Sequence, residues 1–350
     1  MSVIVPFYPA DHASTIANGA NLHTLYERCC GSILPIPGTT PSLSLARSAF
    51  SLACSASEKT KHARHICLTK TSNRSCCDWS YDMSKTVLIT GASSGFGLML
   101  ANKLHAQGFK VIGTSREPEK YAGKAPFKLI RLDIDDDASI EALPGELFQH
   151  VKQLDVLVNN AGYMLTGLAE ETPLDLARKQ FETNFWGTVK VTNAILPYFR
   201  KQRSGKIITV SSIVALIGPP NLSFYAASKH AVEGYFKALR FELNPFNIKV
   251  SMVEPVWFKT NLGSNAIKAV AGTIADYNTY RKQANAATQK GIDDAEKPDA
   301  VVKKIADLIA AKEPKFSNPV GKMTGMFLFL QTYAPKMFEG SILKSVSKAA

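Results

Sequence analysis

A tyrosine and a lysine stand four residues apart in the segment YAASK, as Tyr225 and Lys229. The amphipathic pattern of residues 224 to 243 predicts a helix, on which residues i and i+4 share a face, so the ammonium group should lie near the phenol. A neighbouring positive charge favours phenolate and lowers the phenol pKa from its usual value of about 10. A phenol tuned in this way can exchange a proton with a carbonyl or alcohol oxygen.

The same spacing recurs at Tyr81 and Lys85, just before the first predicted strand, where no site could form. The spacing alone is therefore not specific, and its surroundings have to support it. Ser212 lies 13 residues before Tyr225, at the end of a predicted strand, and Asn184 lies 28 residues before Ser212. These polar residues are the further candidates for the same site.

A glycine-rich turn, TGASSGFG, occupies residues 90 to 97, between a predicted strand and a predicted helix. Glycines let the backbone turn sharply and approach a pyrophosphate, whose charge is met by the N-terminus of the following helix. The spacing is GxxxGxG and not the common GxGxxG. The residues expected at a dinucleotide here are Gly91, Ser93, Ser94, Gly95, Phe96 and Gly97.

Short apolar runs alternate with amphipathic stretches throughout this part of the chain. This alternation is typical of a parallel sheet covered by helices on both faces, so the predicted fold class is doubly wound, mostly parallel α/β. The predicted strands are 86 to 90, 110 to 114, 128 to 132, 155 to 159, 206 to 211 and 249 to 254, and the main predicted helices are 95 to 107, 137 to 150, 174 to 202 and 224 to 243.

Together with Asn160, Ala161 and Gly162 after the fourth predicted strand, these motifs resemble the short-chain dehydrogenase/reductase family of the classical type over residues 85 to 320. The resemblance implies a Rossmann-like fold and an oxidoreductase that transfers hydride with a nicotinamide cofactor. It further implies that Tyr225 is the acid/base and that Ser212 holds the substrate oxygen. Lys229 would bind the nicotinamide ribose, and Asn184 would hold a water that supplies protons to Lys229.

The resemblance also implies cofactor contacts at Asp133, beside the adenine, and at Pro255 and Thr260, beside the nicotinamide. Asp133 could equally cap a helix. Val256 stands where the family usually has a glycine. Because a β-branched residue disfavours positive φ, either this turn does not need that conformation or the nicotinamide contact is altered.

The second predicted strand is followed by Ser115 and Arg116, where family members that use NAD usually carry an acid. A carboxylate would repel a 2′-phosphate, whereas a guanidinium can bind it with two charge-assisted hydrogen bonds. The alternative is a solvated arginine. The sequence favours NADP(H) as the cofactor.

The segments expected to line a substrate cleft, 163 to 168, 213 to 220 and 257 to 280, are mainly apolar. They indicate an apolar carbonyl or alcohol substrate, of retinoid, steroid or lipid-derived kind. A second reading is an NADP-binding regulatory protein of the same fold without turnover. Such a protein would be expected to have lost Tyr225 or Lys229, and both are present.

The chain is divided into residues 1–82, 83–320 and 321–350. Residues 1–82 lack periodicity and carry all six cysteines, in neither a disulfide framework nor zinc-ligand spacing, so no metal site is predicted. We expect a disordered, non-core extension and a cytoplasmic protein. If this segment is instead a transit peptide, the protein is targeted to an organelle. The main domain follows, and then a C-terminal apolar and basic tail.

The net charge of +12 is spread along the helices without a basic stripe, so we predict no nucleic-acid partner. No apolar run is long enough for a membrane span. The apolar stretch 322 to 343 either covers a core edge or subunit contact, the favoured reading, or forms a lid or weak membrane-surface anchor. Resemblance alone implies a homo-oligomer paired through helices 174 to 202 and 224 to 243.

Overall fold

The structure, a computed structural model, describes residues 85–260, 263, 266–269 and 274–347. These residues belong to one unit of the chain, which spans Cys77–Ala350. The predictions of a disordered extension or a targeting peptide in residues 1–82 lie outside the described residues.

The central element is a sheet of seven parallel strands in the order β3-β2-β1-β4-β6-β7-β9. A two-stranded pair of β5 and β8 lies apart from it. The predicted doubly wound, mostly parallel fold is confirmed. The strands are β1 Thr86–Ile89, β2 Lys110–Ser115, β3 Lys128–Arg131, β4 Val156–Asn159, β5 Leu165–Thr166, β6 Gly205–Val210, β7 Ile248–Pro255, β8 Ile267–Lys268 and β9 Ser317–Val320.

Helices connect the strands and cover the sheet. They are α1 Gly95–Ala106, α2 Asp137–His150, α3 Leu174–Phe181, α4 Thr188–Gln202, α5 Ser223–Glu242, α6 Asn278–Asp293, α7 Asp299–Ala310, α8 Thr324–Tyr333 and α9 Pro335–Ser347.

The core lies on both faces of the sheet because the central strands are apolar on both sides. In β1, Val87 and Ile89 pack into one cluster with α1 and α7, whereas Leu88 packs into another with α2, α4 and α5. Such continuous apolar runs are typical of parallel strands buried on two faces. Since all strands run in one direction, their carboxyl ends meet at one edge of the sheet, where the loops assemble a site.

The seventh strand, β9, was not among the six predicted strands. Its sequence SNPV carries polar residues and Pro319, which cannot donate a hydrogen bond to a ladder. The strand is tolerated because it is the edge strand of the sheet, paired with β7 alone. A pattern search for buried apolar runs cannot find a strand of this composition.

The single helix predicted for residues 174 to 202 is interrupted. A π-helical segment, Glu182–Gly187, separates α3 from α4 and contains Asn184. Apolar periodicity hardly distinguishes a local π turn from an α turn, so the sequence could not show the break. Such π segments occur often at functional sites.

The C-terminal stretch that was predicted as an apolar tail forms α8 and α9. Within the described part of the chain, no helix has the length and apolar character needed to cross a membrane.

Candidate active site

A cavity of about 1210 Å³ lies at the carboxyl edge of the sheet. Ligand sites usually measure about 300–1,000 Å³, so this one has room for a dinucleotide and a second molecule. Most of the predicted site residues line it, namely Gly91, Ser93, Ser94, Gly95, Phe96, Arg116, Asp133, Asn160, Ala161, Gly162, Ser212, Tyr225, Lys229, Pro255 and Thr260. Gly97 and Asn184 do not line the cavity but lie behind its wall.

The glycine turn follows β1 and enters α1 in the manner predicted. Gly91 and Gly95 have φ values of 65° and 53°, in the left-handed region that glycine adopts at little cost. At Gly97, a Cβ would lie only 2.5 Å from Asn160 Nδ2, so the close packing of the turn excludes a side chain. The first turn of α1 contains no acidic residue, and its N-cap Ser94 makes no side-chain capping bond. The positive end of the helix dipole therefore fits an anionic group.

Asn160 fastens the glycine turn to the loop after β4. Its Nδ2 donates to the carbonyls of Thr90, at 2.9 Å, and Gly91, at 3.2 Å. In return, the backbone N–H groups of Asn160 and Ala161 donate to Thr90 Oγ1 at 2.9 and 3.0 Å. Sequence reasoning missed the part played by Thr90, although a threonine at the carboxyl end of a central strand was a usable signal.

Arg116 directly follows β2 and is exposed at the rim of the cavity. Ser115 Oγ accepts from the Glu117 N–H at 3.2 Å. The Glu117 carboxylate also lines the cavity, but it pairs with Lys120 at 2.6 Å, and this hydrogen bond lowers its pKa. The acid next to Arg116 in the sequence is thus already engaged by another cation.

Asp133 lies in the turn between β3 and α2. Its Oδ1 accepts from the Asp135 N–H at 3.1 Å, so the carboxylate shapes the turn. The helix cap is Asp136, whose Oδ1 accepts from the Ala138 N–H at 3.2 Å. The alternative reading of Asp133 as the helix cap is therefore wrong, while its position in the cavity wall is open to a ligand.

Tyr225, Ser212 and Lys229 meet in the buried part of the cavity. The Ser212 side chain lies near enough to the Tyr225 phenol to lower its pKa, and Ser212 Oγ donates to the Pro255 carbonyl at 3.4 Å. Lys229 Nζ donates to the Val210 carbonyl, at the end of β6, at 3.0 Å. Two hydroxyls and an ammonium group are thus held together by the ends of two strands and by α5.

Burial is the main cause of the shifted pKa values of Tyr225 and Lys229. Burial raises the pKa of Tyr225 to about 12, against a smaller lowering by the Ser212 hydrogen bond. Burial also lowers the pKa of Lys229 to about 8, opposed by the charge of Glu233. The sequence predicted a lowered phenol pKa, but the protein groups alone produce the opposite shift, because Lys229 donates to Val210 and desolvation dominates.

Asn184 is buried in the π-helical segment beside Lys229. Its Oδ1 accepts from the Tyr163 N–H at 3.0 Å, while its Nδ2 donates to the Tyr163 carbonyl at 3.0 Å and to Ser228 Oγ at 3.3 Å. A Cβ built on Gly162 would lie 3.0 Å from Asn184 Oδ1 and 4.0 Å from Lys229 Nζ. Both side chains therefore approach one point, immediately behind Gly162.

Val256 does not adopt the positive φ that would favour the glycine usual at this position in the family. Among the described residues, the non-glycine residues with positive φ are Arg203, Asn221, Asn247 and Met323, and Val256 is not one of them. The unusual backbone lies instead at Gly321, which has φ 116° and packs against Val256. A Cβ at Gly321 would overlap Val256 Cγ2 and lie 3.3 Å from Phe258 Cζ.

We expect Gly321→Ala to lower the free energy of unfolding by about 1–3 kcal/mol, because it combines an unfavourable φ with overlap on Val256. Urea denaturation followed by circular dichroism would measure the loss. Gly325→Ala is the matched control, since a Cβ there meets nothing within 4 Å and the residue lies in α8. Equal stability of the Gly321 variant and the wild type would contradict this account.

The substrate end of the cavity is mainly apolar. The segments predicted to line it supply Met164, Ile213, Val214, Ile217 and Trp257, whereas α6, α8 and α9 add residues that sequence reasoning did not assign to the site, including Ile292, Phe327, Ile342 and Val346. The C-terminal stretch thus has a packing role, as favoured from the sequence, and it also closes the cavity.

An ion pair holds part of this wall in place. Arg281 donates from Nε to Glu171 Oε2 at 2.6 Å, and its second nitrogen pairs with Glu171 Oε1. Glu171 Oε1 also accepts from the Ile274 N–H at 3.3 Å, and the hydrogen bond with Arg281 lowers the pKa of Glu171. The two charged residues stand 110 positions apart, so no local sequence pattern could reveal the pair.

Two acids are buried behind the site. Glu254 is fully buried in β7, where its Oε2 accepts from the Asn318 N–H at 2.7 Å, and burial raises its pKa to about 7. Glu233 lies one helical turn after Lys229 on α5, beside Ser211, and burial raises its pKa as well. The charge of Glu233 adds to the raised pKa of Glu254.

Because the pKa of Glu254 is higher in the folded chain, its contribution to stability is full below about pH 4.5 and is lost as the pH rises through 7. The loss is at most about 3.4 kcal/mol, since each pKa unit corresponds to about 1.36 kcal/mol. We expect Glu254→Gln to flatten the stability profile over this interval in urea titrations at several pH values. Glu141→Gln, an exposed acid on α2, is the control. An unchanged profile for Glu254→Gln would contradict the assignment.

The seven-stranded parallel sheet, the glycine turn at its carboxyl edge and the cavity beside it define a dinucleotide-binding α/β protein. A family model described as short chain dehydrogenase matches residues 85–271. The chain belongs to this family of oxidoreductases, and the resemblance drawn from its motifs is confirmed.

Individual relatives support the same assignment. The chain is 38% identical to an uncharacterised oxidoreductase of Bacillus subtilis, over 74% of this chain and 97% of that protein. It is 38% identical to a 3-ketodihydrosphingosine reductase of Bacteroides thetaiotaomicron, over 68% of this chain and 88% of that protein. The crystal structure of a short-chain dehydrogenase from Streptomyces avermitilis matches with a TM-score of 0.65 and 29% identity, over 76% of this chain and 98% of that one.

Proposed function

We propose that this oxidoreductase uses NADP(H) to interconvert a carbonyl and an alcohol on an apolar substrate, with Tyr225 as the acid/base. The observation that carries the proposal is that Ser212, Tyr225 and Lys229 line one cavity, whose wall is partly apolar. A serine and a tyrosine hydroxyl in the wall of one cavity can hold a carbonyl oxygen and deliver a proton to it.

The residues present fit a dinucleotide. The positive-φ glycines, the helix N-terminus of α1 without acids and the loop tied by Asn160 form a cradle for a pyrophosphate. When bound, the nicotinamide group supplies or accepts the hydride. Gly91, Ser93, Ser94, Gly95, Phe96 and Gly97 would hold the phosphates, Asp133 the adenine, Asn160 to Gly162 the adjoining ribose, and Pro255 with Thr260 the carboxamide.

The proton chemistry belongs to the chain's own side chains. Ser212 orients the substrate oxygen, and Tyr225 exchanges a proton with it. Since the pKa of Tyr225 is about 12 with the protein groups alone, positive charge next to the phenol is required to make it an effective acid/base. Lys229 is already among those groups, so the further positive charge would come from the oxidised nicotinamide when it is bound. Lys229 binds the ribose, and Asn184, behind Gly162, holds a water that returns protons to Lys229.

NADP(H) is the proposed cofactor because Arg116 stands at the end of β2 and the neighbouring acid, Glu117, is paired with Lys120. A guanidinium can bind a 2′-phosphate with two hydrogen bonds. The substrate is proposed to be a retinoid, a steroid or a lipid-derived carbonyl, because Ile217, Trp257 and Phe327 give the cavity wall an apolar surface. The reductase relative that acts on 3-ketodihydrosphingosine is named for a substrate of this kind.

We further propose a homo-oligomer paired through α3, α4 and α5. Exposed apolar side chains on these elements, among them Leu174, Tyr198 and Phe241, together with Trp186 of the π segment, are available for such a contact.

The direct test is a screen of NADPH oxidation by the purified protein over carbonyl compounds that range from apolar to charged. The proposal requires turnover with apolar carbonyls and little with charged ones. Tight NADPH binding without oxidation over the whole panel would instead support the second candidate, an NADP-binding regulatory protein. The retention of both Tyr225 and Lys229 in a closed site speaks for turnover.

A further inference from the structure

The outer surface of the two C-terminal helices is unusually apolar. Of the eleven large apolar side chains that are exposed in the described residues, six lie between Met323 and Leu343. We define the C-terminal apolar face as Met326, Phe329 and Tyr333 of α8 and Met337 of α9. Phe329, Tyr333 and Met337 are 58%, 75% and 67% exposed.

The arrangement in α8 is that of a helix with two apolar sides. Met326, Phe329 and Tyr333 follow the spacing i, i+3 and i+7 and therefore lie on one side of the helix. The opposite side carries the buried Thr324 and the cavity-lining Phe327. A helix that only covered a core would carry polar residues on its outer side, so the exposed apolar residues on this side form a candidate docking surface.

Charge identifies the kind of partner. Residues 322 to 347 contain three lysines and one acid, Glu339. Lys336 and Lys344 line a shallow groove on α9 together with Met337, and within the described residues neither lysine forms a salt bridge. Met337 of the apolar face thus lies beside two lysines, and apolar side chains combined with ammonium groups match a lipid surface that bears anionic headgroups.

A second copy of the chain fits this surface less well. A symmetric contact places the same patch on both subunits, so two copies of the Lys336 and Lys344 groove would face one patch with a single acid, Glu339, on each side. A bilayer with anionic headgroups satisfies both the apolar and the cationic character of this surface.

We propose that the C-terminal apolar face docks on the surface of an anionic lipid bilayer, with the apolar side chains in the interface and Lys336 and Lys344 on the headgroups. The same helices form part of the cavity wall through Phe327, Ile342 and Val346, so docking brings the cavity next to the lipid. The proposed membrane docking goes beyond the proposed reaction and does not depend on it.

Sedimentation with vesicles tests the proposal on the full chain. The probes are vesicles of phosphatidylcholine and vesicles of phosphatidylcholine with a minority of phosphatidylserine. Wild-type protein should sediment with the second kind, and the partition coefficient should fall as salt is added, because the Debye length shortens. Binding is measured without substrate or cofactor, so its failure is distinct from a failure of the proposed reaction.

Two variants separate the apolar and the electrostatic contributions to vesicle binding. The triple variant Met326→Ser, Phe329→Ser and Tyr333→Ser should lower the partition coefficient by at least about tenfold on anionic vesicles. The double variant Lys336→Glu and Lys344→Glu should lower it by a similar factor and abolish the preference for phosphatidylserine. None of these side chains lines the large cavity, and an unchanged circular dichroism spectrum and thermal midpoint should report that the variants fold.

Two control variants should bind vesicles as the wild type does. Leu174→Ser removes an exposed apolar side chain of α3, and Lys201→Glu reverses a charge on α4. Absence of wild-type binding to either kind of vesicle overturns the proposal. If the wild type does not bind vesicles and the triple variant changes from dimer to monomer, the apolar face is a subunit contact. This result also overturns the proposal.

Discussion

Replacing Tyr225 by phenylalanine should lower turnover by at least about a hundredfold and leave NADPH binding nearly unchanged. The substitution removes the phenolic proton donor but keeps the ring that fills the buried space beside Ser212. The glycine turn and the Asn160 ties lie on other elements and are not disturbed. Stopped-flow turnover and the fluorescence of bound NADPH would report the two properties separately.

Tyr235→Phe is the matched control because it removes a hydroxyl from the same helix, α5. Its phenol donates to Asn193 Oδ1 at 3.0 Å on the surface, and Tyr235 does not line the cavity. This variant should keep its turnover. Near-normal turnover of the Tyr225 variant would refute the assignment of the acid/base.

Arg116→Ala should weaken the binding of NADPH by about 1.5 to 3 kcal/mol and hardly change that of NADH, because a charge-assisted hydrogen bond to the 2′-phosphate is lost. Dissociation constants for both cofactors can be measured by fluorescence titration. Arg200→Ala is the control, since Arg200 is an exposed arginine of α4 that does not line the cavity. Equal losses for NADPH and NADH would show that Arg116 supports the structure and that the phosphate is bound elsewhere.

The fold and most of the candidate site could be predicted because their signals are local. The glycine turn follows β1 directly, and Tyr225 and Lys229 share one helical face, so short spacings determine where these groups lie. Ser212 follows a strand whose apolar run is plain in the sequence. The edge strand β9 has no such run, and it was missed.

What could not be predicted depends on contacts between distant residues. The sequence left open whether Val256 needs a positive φ, and it could not show that Val256 packs against Gly321, in the loop that follows β9. Arg281 and Glu171 are related only through the fold. The pKa of Tyr225 follows from the burial of its phenol, which the spacing to Lys229 does not report.

The tie between Thr90 and Asn160 joins residues that are 70 positions apart, and β1 and β4 pair across a similar separation. Contacts of this kind are costly to form, because the entropy of closing the intervening chain must be overcome before they stabilise anything. The glycine turn therefore acquires its shape only when the centre of the sheet has assembled. A dinucleotide can then shift the folding equilibrium by binding the folded state. It does not act on the chain before the glycine turn has formed.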